Sequence, residues 1–302
     1  MSAWTASRSR RSLLTVLLQL FSWVGFAGSK RNRDRHVGQQ FSFRCKAVSL
    51  VLMAFALAGA SAMAGKTKLP PRFVYLSDID PSIIQDMRYA GHDNFMGGPV
   101  PGYKAPECIL LRSAATALSR VQEDLRGRSL ALKVYDCYRP KRAVRAFVRS
   151  ATGRKADASL KRFYPNISRS QLLRLGYVAS PSMHSKGATV DLTLVAQPEK
   201  EAAPFDPARK YGACTAMPED RAPDNSVDMG TGYDCFDPKS HTRSRAISPE
   251  QRERRQTLRK AMAAQGFSNY SKEWWHYTYG RAAGGSRYDF PVAPRGGDDS
   301  DR

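Results

Sequence analysis

The feature that most constrains folding is the segment at residues 44–65, because it sets the redox surroundings of everything after it. Arg44 and Lys46 flank an apolar run of Val48, Leu50, Val51, Leu52, Met53, Phe55 and Leu57, which gives way to Ala62-Met63-Ala64-Gly65. That order is the pattern of a secretory signal peptide cleaved after Ala64. An exported domain folds where disulfides persist, and four cysteines, Cys108, Cys137, Cys214 and Cys235, follow the cleavage point, with Cys45 left in the leader. An even number predicts two disulfides. Of the three possible pairings we expect Cys108–Cys137 and Cys214–Cys235, since each closes the shorter local loop. No cysteine pair has the close spacing of a structural zinc site.

A second apolar stretch, residues 13–26, is broken by Gln19, Ser22 and Gly25 and is short for a bilayer span. We therefore expect translation to start near Val37, with a signal-anchor helix as the alternative. Residues 1–64 read as leader, and the mature protein as exported to the periplasm with no stable membrane span; the alternative is anchoring by the N-terminal segment. Of the formal charge of +21, nine basic residues against Asp34 in the first 65 positions contribute +8, which leaves +13 on the remainder. Its Arg and Lys are spread over predicted helices and form no stripe interleaved with aromatics, so nucleic acid is not an expected partner.

Past the leader, residues 72–76 read as a short strand, and Leu111, Ala114, Ala115, Leu118 and Val121 give residues 110–125 a helical apolar face. Residues 131–135 read as a buried strand ending at Tyr138-Arg139-Pro140. Pro140 suits a helix's first turn, and Ala143, Val144, Phe147 and Val148 carry its apolar face to about Ala151. Arg139 thus lies at a strand-to-helix junction. Residues 188–194 read as a second strand, Ser248-Pro249-Glu250-Gln251 as the capped start of a helix running to near Gly266, and residues 274–279 as a closing aromatic strand. Strands and helices in mixed order, without β-α-β alternation, predict an α+β fold. We find no repeat or linker, so residues 65–292 read as one domain and 293–302, rich in Gly, Asp and Arg, as a disordered tail.

Only five histidines occur: His36, His92, His184, His241 and His276. His184 lies seven residues before Asp191, and Asp191 sits between Val190 and Leu192 inside an apolar strand, where a carboxylate needs a partner or a metal. Glu273 stands three residues before His276. A catalytic zinc takes three His or carboxylate ligands and leaves one position open; His184, Asp191 and His276 supply such a set. Glu273 is then free to act as general base and acid, with Arg139 placed to steady a developing oxyanion.

Ser182-x-His184-x-x-Gly187-x-x-x-Asp191, Glu273-x-x-His276 and Tyr135-Asp136-x-Tyr138-Arg139-Pro140 resemble the motifs of VanX-type D-alanyl-D-alanine dipeptidases. The likeness extends through Asp86-Met87-Arg88-Tyr89, Asp93-Asn94-Phe95, Asp191-Leu192-Thr193-Leu194 and Asp228-Met229-Gly230-Thr231, and spans most of residues 72–290. It implies the fold shared by zinc D,D-carboxypeptidases and the hedgehog signalling domain, a single domain with an antiparallel-rich sheet and flanking helices. It also implies one zinc per subunit on His184, Asp191 and His276, Glu273 as acid/base, Arg139 as transition-state stabiliser, and D-Ala-D-Ala as substrate. Tyr89 and Asp228 match positions near the substrate's free amino end, and Ser182 lies by the metal loop. Thr189 stands where the family usually has alanine, and residues 196–226 look longer than usual.

Two other readings follow from the same residues. A wider cleft over the same zinc centre would make a D,D-carboxypeptidase acting on peptidoglycan stem peptides. A hedgehog-like binding module would keep the metal and lose hydrolysis, and an intact Glu273 and Arg139 speak against it.

Overall fold

The strand buried along nearly its whole length, Thr189–Ala196, becomes the middle of the sheet, with Thr189, Asp191 and Thr193 alternating against Val190, Leu192 and Leu194. The computed structural model describes residues 69–153, 158–282 and 284–295, and the elements below are those of the described residues. In chain order they are β1 (Phe73–Tyr75), β2 (Ile84–Gln85), β3 (Ile109–Leu111), α1 (Arg112–Arg126), β4 (Leu130–Asp136), α2 (Lys141–Thr152), β5 (Thr189–Ala196), α3 (Pro249–Ala264), β6 (Phe267–Asn269) and β7 (His276–Tyr279). Five strands form one sheet in the order β2-β4-β5-β7-β6. Only β2 runs parallel to its neighbour β4; the other pairings are antiparallel. β5 is buried at every residue but its last. A separate antiparallel pair joins β1 to β3.

The helices cover the sheet through the faces their spacing predicts. α1 buries Ala114, Ala115, Leu118, Val121 and Leu125, and α2, entered through Pro140, buries Ala143, Val144, Ala146, Phe147 and Ala151. α3 is far more polar; its start is fixed by a capping box in which Ser248 and Gln251 satisfy each other's backbone N–H, with Pro249 in the first turn. It sinks Arg255, Leu258 and Met262 into the core. Arg255 is spent on carbonyls of the loop beneath it, donating from Nε to Met229 and from Nη1 to Lys239 and His241.

Two of the boundaries that differ from the sequence expectation have a packing cause. The closing strand begins at His276 rather than Trp274, because Trp274 and Trp275 fill the core from a turn, and Trp274 Nε1 donates to Thr231 Oγ1 at 2.9 Å. Packed chain also continues past 292: Ala293 is buried, its carbonyl accepts from the Tyr75 hydroxyl at 3.2 Å, and Arg295 pairs with Asp78 at 2.8 Å. The leader at 1–64 and the tail from 296 onward lie outside the described residues. No described helix is long and apolar enough to cross a membrane.

Both expected disulfides form. Cys108–Cys137 ties the start of β3 to the end of β4, and Cys214–Cys235 ties the long segment after β5 to the loop before α3. Such pairs persist in oxidising compartments, as expected for an exported protein.

Candidate active site

Strand register assembles the site. Asp191 on β5 is paired with His276 on β7 and, across the sheet, with Asp136 at the end of β4. Paired residues on adjacent strands, about 4.8 Å apart, point to the same face, so these three side chains form a row. His184 enters from the short turn just before β5. That turn closes at Gly187 with φ +75°, where a Cβ would lie 2.2 Å from the Phe73 ring, so no other residue fits without displacing the core.

The row brings His184 Nε2, Asp191 Oδ1 and His276 Nδ1 together: 3.3 Å from His184 to Asp191, 3.0 Å from His276 to Asp191 and 3.2 Å between the two nitrogens. For a zinc ion about 2.0–2.1 Å from each donor, tetrahedral corners fall roughly 3.3–3.4 Å apart. The chemistry of the set agrees. His184 is buried and its Nδ1 lies 2.8 Å from the Cys137 carbonyl, which fixes that nitrogen as the N–H donor and leaves Nε2 a lone pair. Asp191 Oδ1 is buried with no hydrogen-bond donor, an arrangement that costs free energy unless a cation meets it. These residues fit a zinc ion.

The other groups at the row are tied down. Asp136 Oδ2 accepts from Arg139 Nε at 2.8 Å and pairs with Arg139 Nη2 at 2.6 Å, and its Oδ1 accepts from the Tyr103 hydroxyl at 2.6 Å. The same Arg139 Nη2 reaches Asp191 Oδ2 at 3.3 Å, and the guanidinium lies over the rings of Tyr89 and Phe147. Burial works against the charge of Arg139, but Asp136, Tyr89, Tyr103 and Asp191 together raise its pKa well above the ordinary value, so it stays a cation.

Above the row lies a cavity of about 260 Å³, lined among others by Tyr89, Arg139, Ser182, Asp191, Asp234, Glu273 and His276 and walled by Phe95, Phe147, Tyr177, Phe236 and Tyr270. Glu273 is 6% exposed, with Oε2 3.6 Å from His276 Nδ1. A turn holds it there: its N–H donates to the Tyr270 carbonyl and its own carbonyl accepts from Asn269 Nδ2 at 2.9 Å. Burial, then the charges of Asp191 and Asp234, push the Glu273 carboxyl well above the usual carboxylate range. Tyr89 is buried, and its hydroxyl donates to Asp234 Oδ2 at 2.8 Å. Ser182 Oγ accepts from the His184 N–H at 3.3 Å.

Asp228 is not part of this cavity. Its carboxylate accepts from Gly230 N–H, Arg221 Nη2 and Gln251 Nε2, at 2.9, 2.8 and 2.6 Å, and lines a different depression. The acid that faces the cavity is Asp234, six residues on and unremarked in the sequence reading. Burial, then the charge of Asp191, raise its pKa well above the ordinary value. Asp136, through its pairing with Asp191, and Tyr233, through its hydroxyl, also touch the site. The signal for Asp234 was its neighbour Cys235, since a cross-linked cysteine fixes the backbone beside it.

An antiparallel-rich α+β domain with a His-Asp-His cluster beneath a small cavity that holds a buried glutamate has the make-up of a metallohydrolase. The chain belongs to the peptidase M15 family, described as D-ala-D-ala dipeptidase, whose model matches residues 71–205 and 214–293. It is 36% identical over 222 residues to the D-alanyl-D-alanine dipeptidase of Streptomyces coelicolor, covering 73% of this chain and 98% of the relative. The protein of the same name from Enterococcus faecalis is 35% identical over 205 residues (68% and 90% covered), and that of Escherichia coli 28% over 210 (70% and 86%). The break in the family match, 206–213, falls within the segment that looked long in the sequence.

Proposed function

We propose that this enzyme is a zinc-dependent dipeptidase that hydrolyses D-alanyl-D-alanine to two molecules of D-alanine, and that residues 65–295 are its periplasmic catalytic domain. The observation that carries the reading is one small cavity with Asp191, His276 and Glu273 against one part of its wall and Asp234 with Tyr89 against another. About 260 Å³ is at or below the lower end of ligand pockets, roughly 300–1,000 Å³, which suits a free dipeptide better than a peptidoglycan stem. His184, Asp191 and His276 would hold the zinc. When bound there, the ion would supply Lewis acidity toward the scissile carbonyl and toward the attacking water.

The chain's own residues do the rest. Glu273 takes a proton from the water through its carboxylate and passes it to the leaving amine; its raised affinity for protons suits that return step. Arg139, held as a cation by Asp136, faces the negative charge that develops on the carbonyl oxygen. Asp234 receives the substrate's ammonium group, whose charge would draw the carboxyl back to its ionised form. Tyr89 orients Asp234 through its hydroxyl, and Ser182 contributes to the wall beside His184. This assigns to Asp234 the part expected of Asp228.

The test follows D-alanine release by the zinc-loaded protein from free D-Ala-D-Ala, with L-Ala-L-Ala and a muramyl pentapeptide ending in D-Ala-D-Ala alongside. Release from the free dipeptide alone is expected; release from the pentapeptide would assign a D,D-carboxypeptidase instead. Glu273→Gln should lower kcat at least a hundredfold with zinc content unchanged.

A further inference from the structure

The two oxygens of Asp191 have divided surroundings. Oδ1 faces His184 and His276 and has no donor of its own. Oδ2 points the other way and accepts from the Tyr233 hydroxyl at 3.1 Å. Arg139 also reaches Oδ2, at 3.3 Å, but its closer contacts, 2.8 and 2.6 Å, go to Asp136. Tyr233 is therefore the nearer donor to this oxygen.

The protein fixes that hydroxyl from several sides. The Tyr233 ring is 6% exposed. It stacks on Tyr135 with centroids 4.4 Å apart and planes 18° apart, and meets the Trp275 ring edge-on at 5.6 Å. Tyr135 is held in turn by donating its own hydroxyl to Asp224 at 2.7 Å. On the backbone, the Gly232 N–H donates to the Cys214 carbonyl, and two residues beyond Tyr233 the chain is cross-linked through Cys235 to Cys214. Between them Asp234 takes φ +52°, in the left-handed region. One short stretch thus sends Tyr233 to the metal-facing carboxylate and Asp234 into the substrate cavity, under one cross-link.

We infer that Tyr233 is a positioning residue: its hydroxyl occupies Asp191 Oδ2 so that Asp191 offers the metal Oδ1 alone. This rests on the zinc site proposed above. Groups that hold metal ligands in this way are commonly worth 10–100-fold in metal affinity. Nothing in the sequence pattern singles Tyr233 out, since a buried tyrosine beside Gly232 reads as core.

Tyr233→Phe removes the oxygen and keeps the ring, so the stack on Tyr135 survives. The test measures zinc dissociation constants of the full-length protein by chelator competition at fixed pH, for the parent, Tyr233→Phe and Tyr135→Phe. Tyr135→Phe loses a hydroxyl one ring further out, with no contact to Asp191. The zinc Kd is expected to rise at least tenfold in Tyr233→Phe and to stay within about twofold of the parent in Tyr135→Phe. Zinc absorption-edge spectra should gain an oxygen in the first coordination shell of Tyr233→Phe only, as Asp191 turns bidentate. Unchanged affinity and spectrum in Tyr233→Phe, or an equal loss in both variants, overturns the inference. A parent that binds no zinc overturns the metal-site reading itself.

Discussion

Replacing both Cys108 and Cys137 by alanine tests how far a single cross-link carries this domain. The two are separated by 29 residues and are completely buried. By the chain-entropy relation a closed loop of that length restricts the unfolded chain by about 3.6 kcal/mol at 25 °C. For a domain of this size each kcal/mol moves the melting temperature by roughly 2–4 °C, so the variant should melt roughly 7–15 °C lower. The effect should reach the site, because the Cys137 carbonyl accepts from His184 Nδ1 and fixes which imidazole nitrogen faces Asp191. Calorimetry of the non-reduced parent and variant measures the first effect, and chelator competition for zinc the second. A fall in melting temperature under 3 °C would refute the reasoning, since it would mean that residues 108–137 are already held together in the unfolded chain. The Cys214–Cys235 pair, separated by 21 residues, is the internal comparison and should cost slightly less by the same relation.

Other perturbations have equally definite outcomes. Gly187→Ala places a Cβ at φ +75° and 2.2 Å from the Phe73 ring; backbone strain and overpacking together should cost about 2–5 kcal/mol, read from urea unfolding. Asp234→Asn should lower kcat/KM for the free dipeptide roughly 10–100-fold by losing a charged hydrogen bond, while Asp228→Asn, outside the cavity, should leave it within about twofold. Asp224 is pushed up by burial but held well below the ordinary carboxylate pKa by Arg88 and Lys133 and by hydrogen bonds from Lys133 and Tyr135. A depressed folded-state pKa contributes stability that is complete above the unfolded value of about 3.9 and is lost as pH falls below it. Asp224→Asn should therefore unfold more easily than the parent by about 2 kcal/mol at pH 7, the difference shrinking below pH 4; a constant gap down to pH 2 would contradict the assignment.

What the sequence made legible were the features whose cause is local. A carboxylate between Val190 and Leu192 is costly wherever it folds, so Asp191 stood out before any partner was known, and α1 and α2 showed themselves through helical spacing over three or four turns. β2 and β6 did not, because Ile84-Gln85 and Phe267-Ser268-Asn269 lack the continuous apolar run that marks β1. That Asp234 and not Asp228 lines the cavity is the more instructive difference. Asp228-Met229-Gly230-Thr231 is distinctive because of packing: Gly230 has φ +87°, and a Cβ there would lie 2.7 Å from Ile247 and 2.8 Å from Gln251. Asp228 caps this turn and ties it to α3 through Gln251. A motif that anchors a turn attracts attention to itself, whereas the side chain that lines the cavity stands where the turn delivers the chain. Here the delivery is completed by the Cys214–Cys235 cross-link, and the left-handed residue beside it, Asp234, is the one that faces the cavity. A positive φ on a non-glycine residue costs free energy of order 1–3 kcal/mol and persists only where the surroundings impose it. Contacts made across 40 residues or more, such as Tyr233 to Asp191, impose it here, and a spacing pattern along one chain does not contain them.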